Sequence, residues 1–129
     1  MELILMLFLH LIDDYKLQGI LADFKQRDWW VKHAPDKKYK YDYLVALYEH
    51  AFMNSVMIHI PIYLFMSKNT AFLIVTILSC TAFHACCDGL KANFKVINLL
   101  QDQLFHIFTI IILYLIYKFD ILHILFPYI

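Results

Sequence analysis

Four apolar segments, each close to twenty residues long, take up most of this chain of 129 residues. A bilayer core about 30 Å thick is crossed by roughly 20 helical residues, because each residue adds about 1.5 Å. Backbone polar groups inside a bilayer need partners within the chain, so such segments fold as α-helices. The sequence therefore predicts an all-α polytopic membrane protein, a single four-helix domain over 1–129 with spans at about 1–19, 43–65, 70–90 and 97–117.

Composition agrees with a membrane protein. The chain is 62% hydrophobic and 17% charged, whereas soluble domains are about 45–50% apolar and about 25% charged. The net charge is zero, so no basic surface for nucleic acid is expected. The last ten residues, 120–129, are apolar but too short to cross again, and we expect them to lie along the membrane interface.

The basic residues predict which way the helices point. Nine of the eleven lysine and arginine residues lie in or beside two connections, the segment 20–42 and the turn after the third span. Lysine and arginine are enriched in cytoplasmic connections. We therefore expect a multi-pass protein of the inner membrane with both connections in the cytoplasm and both termini outside. Trp29 and Trp30 in segment 20–42 are typical of the aromatic residues found at the membrane interface.

Ionisable residues inside the spans are the sequence feature that points to function. An aspartate at the centre of a span costs about 2.5–3.5 kcal/mol on insertion scales and needs a partner. Three spans carry a histidine and an aspartate four residues apart, which places both on one helical face. The second span adds a histidine near its start. These residues are His10, Asp14, His50, His84, Asp88, Asp102 and His106. With the predicted orientation, all of them fall in the cytoplasmic half of the membrane.

Imidazole and carboxylate groups gathered in this way predict a metal centre. They are the ligands of zinc, manganese and iron, and helix bundles build metal sites from such pairs on facing helices. Seven candidates suggest one or two divalent ions, with zinc favoured and manganese or iron as alternatives. Gln18 and Gln103 are placed to orient ligands. Asn54 is either a group of this kind or an interhelical contact.

Other polar residues carry weaker predictions. Lys91 shares a helical face with His84 and Asp88 and is a candidate to bind a substrate phosphate or stabilise developing negative charge. Glu49 is a candidate general base, although it points about 100° away from its neighbour His50. Asp13 lies about 60° from the stripe of His10 and is expected to cap the helix or bridge to a lysine. His59 lies on the opposite side of its helix from His50 and is expected to be structural.

A known family carries similar motifs. The string H-L-I-D-D-Y-K-L-Q that begins at His10, with D-W-W after it, resembles the opening H-L-x-x-D-x-x-L-Q…D-W of a small integral-membrane domain-of-unknown-function family of bacteria and phages. The later motifs of that family, H, H-x-x-x-D-x-x-K and D-Q-x-x-H, are similar to the sequences around His50, from His84 to Lys91, and from Asp102.

The resemblance covers about residues 5–115 with all motifs in order. It departs from the family pattern at Asp13, where small residues are usual, and in a long aromatic basic connection. It implies a membrane location and a four-helix core but no established activity. The family is also distantly similar to inner-membrane proteins described as metal-dependent hydrolases, and its H-x-x-x-D pairs resemble those of helical zinc phospholipases and nucleases. Such an analogy between sites does not fix a function.

These observations favour a membrane-embedded metal-dependent hydrolase acting at the cytoplasmic interface. Its expected substrate is a phosphoester or acyl bond in a lipid or lipid-linked molecule. Two alternatives remain at this stage. One is a transporter of metal ions or protons. The other is a non-catalytic phage or bacterial membrane protein that modulates a host membrane complex. The expected partners are membrane lipids and a membrane protein or second copy, with no nucleic acid.

Overall fold

Helices make up all the regular structure in the described part of the chain. The computed structural model describes residues 1–66 and 69–121, so residues 122–129 of the expected interfacial segment lie outside it. The elements are α1 (Glu2–Ile12), α2 (Leu21–Phe24), α3 (Arg27–His33), α4 (Asp42–Phe65), α5 (Thr70–Ala92) and α6 (Leu99–Lys118). A π-helical turn, Asp13–Leu17, continues α1, and a 3-10 turn, Lys37–Tyr39, precedes α4. The all-α prediction is confirmed.

The four main helices close into a ring. Helix α4 packs against α1 and α5, and α6 packs against the same two helices. The chain therefore runs around the ring in the order α1, α4, α5, α6. The short helices α2 and α3 pack against α4. Segment 20–42 also contacts the turn between α5 and α6, so the two basic connections lie at the same end of the bundle.

Two of the described helices are long and apolar enough to cross a membrane by length and composition. They are α5 and α6. Helix α4 has 24 residues but carries several polar ones, and α1 ends at Ile12. The four predicted spans thus correspond to four helical segments, of which α5 and α6 have the full signature of a span.

Three layers of side chains fill the bundle, and successive layers are four residues apart on every helix. We name them by their content. The carboxylate layer consists of Asp14, His50, Asp88 and Asp102. The imidazole layer consists of His10, Asn54, His84 and His106. The apolar layer consists of Met6, Ile58, Cys80 and Ile110. All members except the half-buried Asp14 are buried, because a four-residue step is close to one helical turn and keeps each row facing inward.

The exterior of the bundle is apolar. Large hydrophobic side chains are exposed on every main helix, among them Phe8 on α1, Phe52 on α4, Leu78 on α5 and Phe108 on α6. In a water-soluble bundle the charged groups lie outside and the apolar groups inside. Here two of the three inner layers are polar, an arrangement that suits a hydrocarbon surrounding.

The π-helical turn brings Gln18 into line with the layers. Its backbone N–H donates to the Asp13 carbonyl oxygen at 3.0 Å, five residues back. In a regular α-helix Gln18 would be rotated about 80° from His10, eight residues earlier. A π turn takes more residues per turn and removes much of this rotation. Gly19, with a φ of +51°, then turns the chain towards α2.

Asp13 stands at the C-cap position of α1, and its side chain is buried in the bundle rather than bridged to a lysine. It is 3% exposed, and Asn54 Nδ2 donates to its Oδ2 at 3.0 Å. The expectation of a lysine bridge was wrong because it allowed α1 one inward stripe. Helix α1 contacts both α4 and α6, so its buried face is wide enough for two consecutive aspartates.

Asn93 fastens segment 20–42 to the bundle. Its Nδ2 donates to the Lys25 carbonyl oxygen at 3.0 Å, and the Arg27 backbone N–H donates to its Oδ1 at 2.7 Å. Nearby, Lys95 Nζ donates to Asp28 Oδ2 at 2.7 Å on the exposed surface. That hydrogen bond and the positive charge of Lys95 lower the pKa of Asp28.

We expect Asn93→Ala to loosen segment 20–42, because both of its backbone hydrogen bonds to the bundle are lost. Limited trypsin digestion should then cut after Lys25 and Arg27 faster than in the wild type. Lys95→Ala is the control, and its effect should be much smaller because the ion pair it removes is exposed to solvent. Equal digestion rates for Asn93→Ala and the wild type would contradict this role.

Candidate metal centre

Asp88 and Asp102 have the same surroundings: one carboxylate oxygen of each contacts a lysine and the other faces His106. Lys25 donates to Asp88 Oδ2, and Lys91 donates to Asp102 Oδ2. The other two oxygens face the same imidazole nitrogen. His106 Nε2 lies 3.4 Å from Asp88 Oδ1 and 3.3 Å from Asp102 Oδ1.

The three facing atoms lack hydrogen-bond partners. Asp88 Oδ1, Asp102 Oδ1 and His106 Nε2 are buried, and none makes a hydrogen bond to the described part of the chain. Leaving a buried polar atom unpaired costs about 1–3 kcal/mol, and more for a charged group. A tetrahedral ion with bonds of about 2.0–2.2 Å holds its ligands roughly 3.3–3.6 Å apart. The distance from His106 Nε2 to each of the two oxygens is therefore that of two ligands on one ion.

Two overlapping sets of side chains could hold a metal ion. One set contains His84, Asp88 and His106, and the other contains Asp14, His50 and His84. In each set the ligand atoms lie within 4.8 Å of one another. His50 Nε2 is 3.1 Å from Asp14 Oδ1 and 3.3 Å from His84 Nε2. His84 belongs to both sets, so the two positions are adjacent.

His10 lies beside these sets rather than in them. Its ring centroid is 5.4 Å from that of His106 and 6.2 Å from that of His84. Its Nδ1 lies 3.1 Å from Asn54 Nδ2 and 3.3 Å from Asn54 Oδ1. Its Nε2 is buried and has no hydrogen-bond partner among the described residues, so it offers one further nitrogen to a ligand.

Three amide side chains orient the charged groups. Gln103 Nε2 donates to Asp14 Oδ2 at 2.6 Å, and Gln18 Nε2 donates to Asp14 Oδ1 at 3.3 Å. Asn54 connects His10 with the buried Asp13. Such contacts fix the rotamers of potential ligands before any ion binds. The structure therefore places Gln18, Gln103 and Asn54 next to the groups they were expected to orient.

Some of the other predicted residues lie at the site and some lie away from it. We call the two ligand sets together the cluster. Lys91 is half-buried beside the cluster, where it also lies 3.7 Å from Asp88 Oδ1. Glu49 is exposed on α4, so the structure does not bring it to the cluster. His59 donates through Nδ1 to the Ser55 carbonyl oxygen at 2.6 Å, in agreement with a structural role.

Lys25 is the site residue that sequence reasoning missed. It was expected to be one of several lysines of a cytoplasmic connection, yet it is 4% exposed and paired with Asp88. The available signal was the apolar string G-I-L-A that shortly precedes it. Nothing in the local pattern distinguishes its charge from those of Lys32 or Lys37.

The comparisons with known proteins identify no relative. No family model matches the chain, and no curated protein or solved structure is significantly similar to it. The family resemblance drawn from the motifs therefore stays a prediction. The positions of the buried histidines and aspartates alone support a candidate metal centre.

The Lys25–Asp88 ion pair predicts strong energetic coupling. In metal-free protein, Asp88→Ala leaves the Lys25 ammonium group buried without its partner, which should cost about 3–5 kcal/mol. The double variant Lys25→Met/Asp88→Ala should recover much of that loss. The measurement is the free energy of unfolding by denaturant in detergent after chelation. Lys32→Met, which removes an exposed lysine, should recover nothing, and simple addition of the two single effects would contradict the pairing.

Proposed function

We propose that this protein is a metal-dependent hydrolase embedded in the membrane, with its centre in the carboxylate and imidazole layers. The observation that carries the proposal is the set of three buried atoms without hydrogen-bond partners, Asp88 Oδ1, Asp102 Oδ1 and His106 Nε2. A metal ion held by His84, Asp88 and His106 could bond to the Asp88 and His106 atoms that have no hydrogen-bond partner.

The charge balance of the interior supports a divalent ion. Two ammonium groups, those of Lys25 and Lys91, lie among four carboxyl groups, so acidic groups outnumber lysines in the interior. The acidic residues are Asp13, Asp14, Asp88 and Asp102. Uncompensated charge in a medium of low dielectric constant is strongly unfavourable. A bound cation would offset this excess of acidic groups.

Hydrolysis is the chemistry that suits these groups. A divalent ion bound here would polarise a carbonyl or phosphoryl oxygen and activate water for attack. Lys91 keeps a fifth of its side chain exposed, at 22%, and can approach a substrate anion and stabilise developing negative charge. His50, held 3.1 Å from Asp14 Oδ1, is placed to accept or return a proton. These roles favour a phosphoester or an acyl ester as substrate.

The position of a small cavity supports a lipid or lipid-linked substrate. The cavity lies against His10, His84 and His106 and has apolar walls that include Ile58. The exposed Phe83 of α5 also lines it. Since α5 and α6 are the two helices suited to cross a membrane, an opening beside Phe83 would face the bilayer. A substrate could then reach the imidazole layer without leaving the lipid.

The apolar exterior supports four membrane-spanning segments, and the shared end of the two basic connections supports placing the site at the cytoplasmic side of the inner membrane.

The apolar layer favours an enzyme over a transporter. Directly beyond the imidazole layer, four buried apolar side chains fill the bundle: Met6, Ile58, Cys80 and Ile110. A path for ions would need polar groups directed into the bundle at this level, whereas the buried Ser55, His59 and Thr81 near it bond to backbone carbonyl oxygens of their own helices.

Elemental analysis tests the metal centre. Protein purified in detergent without chelator should contain about one equivalent of zinc, manganese or iron, whereas a His84→Ala/Asp88→Ala variant should contain none because two ligands are gone. His59→Asn is the matched control, since it removes a buried histidine outside the cluster, and it should keep the metal. A wild-type protein without metal above background would overturn the proposal.

Turnover tests the hydrolase. Metal-loaded protein in mixed micelles should release phosphate or fatty acid from phospholipids, and Asp88→Asn should abolish release. Lys91→Met should lower kcat/KM by about 10- to 150-fold, corresponding to the roughly 1.5–3 kcal/mol of a charged hydrogen bond. Glu49→Gln should not change the rate, because Glu49 is exposed away from the cluster. Full metal occupancy without turnover on any lipid ester would favour the non-catalytic alternative.

A further inference from the structure

The two oxygens of Asp88 face two different ligand sets. Oδ1 lies 3.4 Å from His106 Nε2. Oδ2 lies 3.5 Å from His50 Nε2 and 3.9 Å from His84 Nε2. A carboxylate between two such sets has the position of a bridging ligand in a two-metal site, where the ions are about 3.5–4 Å apart. By its ligands alone, the bundle could therefore hold two ions.

The second oxygen of Asp88, Oδ2, already accepts a hydrogen bond from the ammonium group of a lysine. Lys25 donates to Asp88 Oδ2, and its side chain is 5% exposed, so it lies inside the bundle rather than at its rim. The backbone around Lys25 is fixed by Asn93, which bonds to the Lys25 carbonyl oxygen and the Arg27 amide. The lysine is thus held in place from both its backbone and its charged end.

The ammonium group of Lys25 also disfavours a second cation by its charge. An ion in the set of Asp14, His50 and His84 would lie close to the buried Lys25, because Asp88 Oδ2 faces both that set and the lysine. Two positive charges so close together in a medium of low dielectric constant repel each other strongly.

We infer that Lys25 takes the place of a second metal ion. The centre then holds one divalent ion in the set of His84, Asp88 and His106, and the ammonium group of Lys25 excludes another ion from the set of Asp14, His50 and His84. Lys25 is in this sense a residue that sets metal stoichiometry. The inference depends on the proposed metal centre, and it assigns to Lys25 a role that a lysine exposed in a connection could not have.

Metal stoichiometry after saturation with zinc and gel filtration tests the inference without reference to activity. The wild type should retain one equivalent. Lys25→Met removes the charge at nearly constant length and should retain two, whereas Lys25→Arg should retain one. The double variant Lys25→Met/Asp14→Ala should return to one, because the second set loses a ligand. Lys32→Met, a change to an exposed lysine, should not alter the wild-type value.

Each outcome separates this inference from the proposed centre. No bound zinc in the wild type would overturn the metal centre itself. Two equivalents in the wild type, or one in folded Lys25→Met, would overturn the role of Lys25 and leave the centre intact. If Lys25→Met does not fold, Lys25→Gln replaces it. That variant removes the charge but keeps a polar end, so it should retain two equivalents, and a value of one would contradict the inference.

Discussion

The buried ion pair between Lys25 and Asp88 connects the parts of this molecule that the sequence keeps apart. Lys25 comes from the segment between the first two main helices, and Asp88 lies in the interior on α5. The Lys25 ammonium group without Asp88 would be very costly inside a bundle whose exterior is apolar, because its side chain is only 5% exposed and a buried charge needs a partner. Docking of segment 20–42 therefore also gives Asp88 its positive partner. Asn93 holds the docked segment in place through two hydrogen bonds to its backbone.

The same reasoning explains why the interior is arranged in layers. A helix in a bilayer gains little from burying apolar side chains, so in the proposed membrane setting packing and polar contacts between helices would hold the bundle together. The carboxylate and imidazole layers supply those contacts between α1, α4, α5 and α6. The apolar layer beyond them closes the bundle with close packing. The amides of Gln18, Gln103 and Asn54 complete the contacts of the charged groups, and a few buried atoms are left over beside His106.

Helical periodicity made much of this arrangement predictable. Because a step of four residues keeps a side chain on one face, the pairs His10–Asp14, His84–Asp88 and Asp102–His106 had to form rows at neighbouring levels, wherever the loops ran. Contacts that depend on distant parts of the chain were not predictable. Lys25 enters the bundle because Asn93, 68 residues later, binds its backbone. Glu49 is next to His50 in the sequence, but its side chain points away from the ring of helices and is exposed.

The two oxygens of Asp88 and of Asp102 are used differently, and this makes the cluster a candidate binding site. In a structural network both oxygens of a buried aspartate would be expected to find donors, since each unpaired oxygen is unfavourable. Here each aspartate accepts from a lysine at Oδ2 and directs Oδ1 at His106, so the lysines orient the carboxyl groups. Side chains oriented in this way would lose little conformational freedom if an ion bound to them. The two lysines also offset part of the negative charge of the buried aspartates.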